Sequence, residues 1–438
     1  MSLQLENFDY EIKKINSWNL TYVEKAKVFY PKNIKELINI IKLCKKTKRT
    51  FAIKTGMCSY DSKSMPSNEN CIIISLKKFN KISRLDNKKK IISVESGAKI
   101  SNVIYFLKKK KLTLYSVPGG EHISIGGAIA ANVIGKDSTS SFASFGDSII
   151  YLKIISHSGK IKKINNHSKE FYQYIGSFGM FGIILEAKIK VKKIASSNLM
   201  LETKILKNIK EVKSELEKKS EYKYIQIDPF FRKKNFGIIF RANHVNKYEN
   251  IYKNKNLNSN LFEILFFKIS SFFINSVTWK IFYNLFFILN KNKKIFSDIY
   301  NFHYTSKYKH MVPLMCRSGL IDYEILIQKD FKRTFLEIQK FLVNNNLAPI
   351  YIIIKKLFKS KKKFFYNFNK NGYALAISFR LNNLDKLKKN EFESLLSKKK
   401  LSLNLSKTDS LFVKKSKKIN SNENKIFMSL YKKMLIHE

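Results

Sequence analysis

Val117-Pro118-Gly119-Gly120-Glu121-His122-Ile123-Ser124-Ile125-Gly126-Gly127-Ala128-Ile129-Ala130-Ala131-Asn132-Val133-Ile134-Gly135-Lys136 is the stretch that decides how this chain reads. Five glycines and three alanines fall within it, in a chain otherwise dense in Lys, Ile, Asn and Phe. Small side chains at this density let backbone N–H groups approach something bulky, and glycine reaches φ/ψ values closed to other residues. A pyrophosphate needs such a cradle. A tight turn running into a small-residue packing helix accounts for the same stretch equally well, because glycine clusters are mostly structural punctuation.

The 438 residues leave room for two or three domains, and 44% hydrophobic residues argue for a folded chain. A net charge of +50 has the look of a nucleic-acid or anionic-membrane partner. Only seven of the 83 basic residues are arginine, however, and a duplex reader would use Arg for bidentate contacts to bases. No specific nucleic-acid partner is therefore expected. The Lys, Asn, Ile, Phe and Tyr bias fits coding from an AT-rich genome, with attraction to anionic lipid or a phosphorylated substrate as the other reading. Cys44, Cys58, Cys71 and Cys316 form no CxxC and do not cluster with His, so neither a disulfide framework nor a metal site is expected. The first residues have no basic n-region or apolar core, so the expectation is a cytoplasmic protein without a signal peptide.

Around the glycine stretch, short strands alternate with helices. Pro31 opens a helix whose Ile34, Leu37, Ile38, Ile41 and Leu43 sit at helical spacing, and the basic run Lys45–Arg49 ends it. Strand Phe51–Ile53 breaks into the polar turn Lys54–Ser62. Cys71–Leu76 and Ile91–Val94 read as strands, Ser101–Lys111 as a helix, and Leu112–Val117 as the strand feeding the glycines. Strands Ser148–Ser156 and Lys160–Ile164, helix Phe171–Ile175 and strand Ile183–Val191 follow. Residues 1–30 read as an entry segment and 30–192 as one α+β unit. From about Ser196 come helix Ile209–Lys218, strands Tyr222–Pro229 and Phe236–Asn243, and a polar linker, Lys247–Asn260. Leu261–Asn290 is the most apolar segment, but Glu263, Lys268 and Lys280 break it too often for it to span a bilayer. It reads as an interfacial helix or a buried helix pair. Strand Ile321–Gln328, helix Phe331–Asn344, strands Pro349–Ile354 and Tyr373–Phe379 and a basic tail helix complete the chain. Asp322 and Glu324 are taken to lie on alternate faces of their strand with Tyr323 opposite, leaving a shared carboxylate pair a weak option.

Pro31 with Ile34 and Leu37, a G-x-G-like turn ending in Ser59, Pro118-Gly119, then Ser124-Ile125-Gly126-Gly127-Ala128-Ile129-Ala130 and Phe145-Gly146-Asp147 form an ordered set. Over about residues 15–193 it resembles the PCMH-type FAD-binding domain of the vanillyl-alcohol-oxidase superfamily. Within that superfamily the chain resembles the decaprenylphosphoryl-ribose 2-oxidase family. Val133-Ile134-Gly135-Lys136-Asp137 is similar to its V-H-G-K-N, Ser144-Phe145-Gly146 to its S-F-G, and Gly176–Ile184 to its glycine-rich lead into G-I-I. Ile321–Glu324 is similar to its Q-Y-Q/E strand, Ile353–Lys356 to V-L-K, Gly372–Ala376 to G-Y-T-L-A and Leu405–Asp409 to L-A-K-D. Ile274, Trp279 and Tyr283 give a fainter echo.

The resemblance implies an α+β protein. A two-subdomain PCMH-type FAD-binding domain (1–193) would precede an α+β substrate or cap domain with an antiparallel sheet (194–400), and 401–438 would return to the flavin site. FAD would be held without a covalent bond, since no histidine stands at the superfamily's attachment position. The cofactor-binding residues it implies are Ile53, Lys54, Thr55, Gly56, Met57, Cys58, Ser59 and Tyr60; Pro118, Gly119, Ser124, Ile125, Gly126 and Gly127; Ala131, Asn132, Ile134 and Gly135; and Gly182, Ile183 and Ile184. Backbone N–H groups of 55–59 and 124–127 would cradle the pyrophosphate. Lys407 would be the first polar residue at the isoalloxazine, Lys136 and Lys355 would contact hydroxyls or phosphate, and Tyr60 would line the substrate face. Three departures stand out: the turn Thr55–Ser59 lacks a usual glycine, Ile134 replaces a family histidine, and Asn404 stands where relatives often have tyrosine.

The reaction implied is hydride transfer from a carbinol carbon to flavin N5. Its main form is oxidation of the 2-hydroxyl of a polyprenylphosphoryl-ribose, the first half of an epimerisation that a separate reductase would complete. Segment 261–290 and the positive charge would then bring the protein to the anionic inner face of the cell membrane. A free sugar or aldonolactone is the alternative substrate. A basic membrane- or nucleic-acid-binding protein with a decayed flavin site is the alternative of another class.

Overall fold

Three sheets organise the chain, and the first begins where the sequence offered only an entry segment. The structure is a computed structural model that describes residues 4–156, 159–232, 235–246, 269, 272–273, 275–304, 318–368 and 370–407. The expected linker 247–260, most of 261–275 and the tail helix beyond 407 lie outside the described residues.

Strands Tyr10–Asn16 and Val23–Phe29 pair antiparallel, and Val23–Phe29 continues in parallel to Ile72–Ile74 and then Phe51–Ile53. The hairpin replaces the expected entry segment. Tyr10–Asn16 is an edge strand whose Lys and Glu side chains face solvent and which buries only Ile15, so its apolar signal is thin. Helix Ile34–Lys46 packs on this sheet. Asn33 caps it by accepting from Glu36 N, and Leu37, Ile40, Ile41 and Cys44 bury against Phe29, Phe51, Ile72 and Ile74.

The second sheet runs Ile82–Asp86, Ile91–Glu95, Gly182–Lys193, Ile149–Ser156, Ile161–Asn165, all antiparallel, with Leu112–Leu114 also on Gly182–Lys193. Helices Ile100–Lys108 and Ile125–Ala130 lie over it, burying Val103, Ile104, Leu107, Ile125 and Ile129 against Ile154 and Ile189.

The third sheet has eight strands in the order Lys294–Asp298, Asn198–Leu206, Gly237–His244, Tyr222–Ile227, Tyr351–Leu357, Gly372–Arg380, Leu320–Ile327, Ser402–Leu403, antiparallel throughout. Helices Ile209–Glu217, Phe331–Asn344 and Lys386–Lys398 cover one face. In Phe331–Asn344 the buried Phe331, Phe335, Ile338 and Leu342 recur every three to four residues, each contributing about 1.5–3 kcal/mol on burial. Helix Ser276–Asn290 crosses the other face, pinned by the Trp279 indole N–H and the Tyr283 hydroxyl, which both donate to Ile350 O at 3.1 and 3.0 Å. Among the described residues no helix is long and apolar enough to cross a membrane.

Residues 358–368 strap the third sheet to the second. Phe364 is buried in the core of the second sheet, Ser360 Oγ donates to Asp147 Oδ1 at 2.6 Å, and Lys362 Nζ donates to Asp147 O at 2.8 Å. The architecture is α+β, as the motifs imply, with one mixed and two antiparallel sheets among the described residues.

Candidate active site

A cavity of about 550 Å3 lies between the glycine-rich wall of the first two sheets and the open face of the third. Its first wall is the turn after strand Phe51–Ile53. Ile53, Lys54, Thr55, Gly56, Met57, Cys58, Ser59 and Tyr60 all line it. A Cβ on Gly56 would stand 2.3 Å from His122 O, so only glycine lets this turn close on the 122–124 backbone. Met57 takes φ +57°, a left-handed conformation that side chains resist. The glycine missing from the turn is thus missing where the backbone would use one.

Pro118, Gly119, Ser124, Gly126, Gly127, Ala131, Ile134 and Gly135 form the adjoining wall, with Gly182, Ile183 and Ile184 beside them. Two expected members are not part of it. Ile125 points into the core of the second sheet, and the Asn132 amide is occupied, accepting from Gly146 N and donating to Tyr366 O. The expected backbone cradle is also narrower. Ile125 N, Gly126 N and Gly127 N already donate to Ala98 O, Ser96 O and Ser124 Oγ. Among the described residues the N–H groups of Thr55–Ser59 donate to nothing, so this turn holds the free donors an anionic group would take. Gly119 adds open space, with no atom within 4 Å of where its Cβ would stand.

The opposite wall is the third sheet. Strand pairing sets Glu324, Ala376, Ile353 and Gln226 in one row across four strands, all lining the cavity. Asp322 lies in the next row and is held by the Tyr351 hydroxyl at 3.1 Å. The two carboxylates therefore share a face, and Tyr323 between them donates to Glu393 on the other side. The expectation of alternate faces fails because residues two apart in a strand project the same way.

Lys407 reaches this wall from the segment after strand Ser402–Leu403. Its Nζ donates to Tyr60 Oη at 2.9 Å and stands 4.0 Å from Asp322 Oδ2. Tyr60 also favours the charged form of Asp322. Burial pushes the Asp322 carboxyl up to about 6, against the pull of Lys407, Tyr60 and Tyr351. Lys355 Nζ pairs with Glu324 Oε1 at 3.1 Å, and the Asn404 amide donates to Glu324 Oε2 at 2.6 Å. Burial opposes the charge on Glu324, but Lys355, Lys407 and Asn404 together hold it below the usual range. Asn404, the residue in the tyrosine position, is thus a bracket for Glu324. Lys136 is enclosed by the rings of Tyr224 and Phe302, 4.9 and 5.0 Å from its Nζ. Burial, then repulsion from Lys355, lowers it to about 8, with Asp137 acting the other way.

The structure thus brings Lys407, Lys136, Tyr60 and Lys355 to one cavity with every expected cofactor residue except Ile125 and Asn132. Sequence reading passed over Trp18, Tyr224, Gln226, Phe302 and His303, which also line it. None belongs to a motif: Tyr224 and Gln226 come in through the register of the third sheet, Phe302 and His303 on helix Ile299–His303, and Trp18 through its backbone bond to Ser59 O.

Residues 26–165 match the family described as FAD binding domain. The chain is 24% identical over 127 residues to decaprenylphosphoryl-beta-D-ribose oxidase of Mycolicibacterium smegmatis, covering 28% of this chain and 27% of that one. It is 25% identical over 180 residues to a Neurospora crassa protein to which D-arabinono-1,4-lactone oxidase activity is ascribed, covering 40% and 31%. The matches span about a third or less of these relatives. Among solved structures, cholesterol oxidase from Brevibacterium sterolicum superposes with a TM-score of 0.68 at 12% identity, over 90% of this chain and 84% of that one. An alkyldihydroxyacetonephosphate synthase does so at 0.60 and 13%, over 87% and 73%. The close-packed Gly56, the free N–H groups of the turn and the open space at Gly119 fit an FAD pyrophosphate against this wall. The chain carries an FAD-binding domain on the fold seen in cholesterol oxidase, and FAD is its cofactor.

Proposed function

We propose that the protein is an FAD-dependent oxidoreductase that oxidises a secondary hydroxyl of a sugar. The observation that carries this reading is Lys407, bonded to Tyr60 and 4.0 Å from Asp322, facing the glycine wall across one cavity. Bound FAD, held on the turn Thr55–Ser59, supplies the two-electron acceptor for the carbinol carbon. The chain supplies the proton chemistry. Lys407 Nζ donates to the oxygen of the hydroxyl being oxidised and stabilises the charge that builds there. The hydroxyl proton passes to Tyr60 Oη as Tyr60 gives its own to the Asp322 carboxylate. Lys355, steadied by Glu324, and Lys136 orient neighbouring oxygens.

The substrate we favour is a polyprenylphosphoryl-ribose oxidised at its 2-hydroxyl, with a separate reductase consuming the ketone. Helix Ser276–Asn290 supports the lipid-linked form. Its inner face, Trp279, Phe282, Tyr283 and Phe286, lines the cavity. Its outer face exposes Val277, Ile281, Leu285, Ile288 and Leu289 by 53–67%, an apolar strip reaching from the cavity to solvent in a chain of net charge +50. That strip would rest on an anionic membrane surface while the lipid tail leaves the cavity along it. A free sugar or aldonolactone oxidised at the same site is the second reading, favoured by the arabinonolactone oxidase match.

The test is to purify the protein with its flavin, record the visible spectrum, and add polyprenylphosphoryl-ribose, free ribose and aldonolactones without oxygen. Bleaching by the lipid-linked sugar alone is the expected result. Bleaching by aldonolactone alone moves the assignment to the second reading, and a colourless protein that takes up no FAD ends the enzyme reading. Acid denaturation should release the flavin into the supernatant if, as we propose, it is not covalently bound.

A further inference from the structure

Gln226 belongs to strand Tyr222–Ile227, on the face of the third sheet that helix Ser276–Asn290 crosses, and it lines the cavity. Two hydrogen bonds decide how its carboxamide is turned. The Tyr283 hydroxyl donates to Ile350 O at 3.0 Å, where a carbonyl oxygen can only accept. The phenol has one proton and spends it there, so towards Gln226 it can only accept. Burial raises the Tyr283 phenol, so that proton stays in place. The end of the amide 2.9 Å from Tyr283 Oη is therefore Nε2, and Oε1 is turned away from the tyrosine. Among the described residues Oε1 has no hydrogen-bond partner, and unlike the ring nitrogens of His303 it is not sealed, so it opens onto the cavity its side chain borders. Its neighbours are cationic and aromatic. Gln226 stands opposite Ile353, which puts Lys355 on the same face about 7–8 Å away on the diagonal. Tyr224, two residues before Gln226 on the same face, holds Lys136 Nζ at 4.9 Å from its ring centroid. An anionic oxygen is drawn to those lysines and repelled by the carbonyl dipole, so what Oε1 takes is a neutral group with a proton to give.

We propose that Gln226 is a specificity-determining residue whose carboxamide oxygen accepts a hydrogen bond from a substrate hydroxyl, with Tyr283 fixing which end of the amide faces the ligand. This rests on the sugar-oxidising reading above and adds the residue that reads one of the sugar's other hydroxyls. Three strand steps of about 4.8 Å each separate Gln226 from Glu324, through Ile353 and Ala376. Lys407 stands by Asp322, on the same strand as Glu324, so Gln226 serves a hydroxyl away from the one being oxidised. A hydroxyl satisfies Oε1 because it donates, whereas a fluorine or an ether oxygen at that position does not. Turning the amide over would reverse the preference, and the Tyr283 bond to Ile350 O prevents it. Trp279 donates to the same carbonyl, so the anchor of helix Ser276–Asn290 on the sheet also sets the polarity that Gln226 shows the substrate.

Flavin-loaded protein reduced with dithionite cannot turn over, and calorimetry on it gives the affinities for methyl β-D-ribofuranoside and its 2-, 3- and 5-deoxyfluoro forms. At one position fluorine, which accepts but does not donate, should weaken binding to the wild type about tenfold. Gln226→Leu should bind the parent about tenfold more weakly and lose the penalty at that position alone, with FAD content held. Tyr283→Phe keeps the ring and frees the amide to turn, so it should hold the parent's affinity within about threefold and shrink the same penalty. A Gln226→Leu protein that keeps the affinity and every penalty overturns the proposal, as does a wild type that binds none of the four probes or shows no penalty. A penalty left at full size in Tyr283→Phe overturns the role given to Tyr283. Oxidised protein without oxygen separates this inference from the reading beneath it. Binding through Gln226 without bleaching of the flavin would defeat the oxidising reading and leave the recognition role standing, and bleaching that neither Gln226→Leu nor fluorine alters would do the reverse.

Discussion

At the residue scale the candidate site turns on which groups hold protons and which hold shape. Asp322 is raised to about 6, so it is ionised and able to take a proton only above that pH. The value of kcat/KM should therefore fall as pH drops through about 6, and Asp322→Asn should remove that limb and lower kcat by roughly 10²–10⁴-fold. Lys407→Met should lower kcat with FAD content unchanged, since the lysine touches Tyr60 and Asp322 rather than the glycine wall. Lys136 is lowered to about 8, so its charge is present below that pH and lost above it. The KM for a phosphorylated substrate should rise above about pH 8 in the wild type and stay flat in Lys136→Met. Shape is set by Gly56. Its Cβ would meet backbone at His122 O, which cannot swing aside as a side chain could, so Gly56→Ala should lose FAD on gel filtration.

At the element scale, helix Ser276–Asn290 is apolar on both sides for two different reasons. Trp279, Tyr283 and Phe287 are buried against the sheet, while Val277, Ile281, Leu285 and Ile288 face solvent. Replacing Ile281, Leu285 and Ile288 by serine should abolish flotation with phosphatidylglycerol vesicles and leave the melting temperature within about 1–2 °C, because exposed positions add little to stability. Flotation that survives the triple change would count against a membrane role for this helix. The same helix marks where sequence reading stops. An all-round apolar pattern could not say which face meets protein; in the structure one face is buried on the sheet and the other is exposed. Where burial left a regular pattern, the sequence was legible: Phe331–Asn344 buries one face at three-to-four spacing, and Phe51–Ile53 is a short apolar run with both faces covered. The Tyr10–Phe29 hairpin was not, because an edge strand rich in Lys and Glu lacks an alternating apolar face. Within the site, motif positions led to Lys407, Lys136 and Lys355. Gln226 and Tyr351 arrive by strand register, which no local pattern encodes.

At the scale of the whole molecule, the placement of Lys407 depends on the strap that joins the third sheet to the second. Phe364 inserts into the core of the second sheet, Phe365 N donates to Tyr172 O at 3.1 Å, and Gly176 at φ +77° lets its backbone lie against Tyr366 O. The strap then turns back to the site, where Tyr366 Oη accepts from Leu405 N at 2.8 Å, two residues before Lys407. The anchor and the segment that carries Lys407 are thus separable. Phe364→Ala should cost about 3–5 kcal/mol in chemical denaturation, as a buried phenyl leaves a cavity behind. Tyr366→Phe removes only the hydroxyl, so it should cost about 1–3 kcal/mol at most and retain FAD. What it should lose is kcat, because Leu405 N no longer fixes the backbone from which Lys407 reaches Tyr60. Equal kcat in Tyr366→Phe and wild type, with the Lys407→Met defect intact, would mean that the Asn404–Glu324 bonds alone position the lysine.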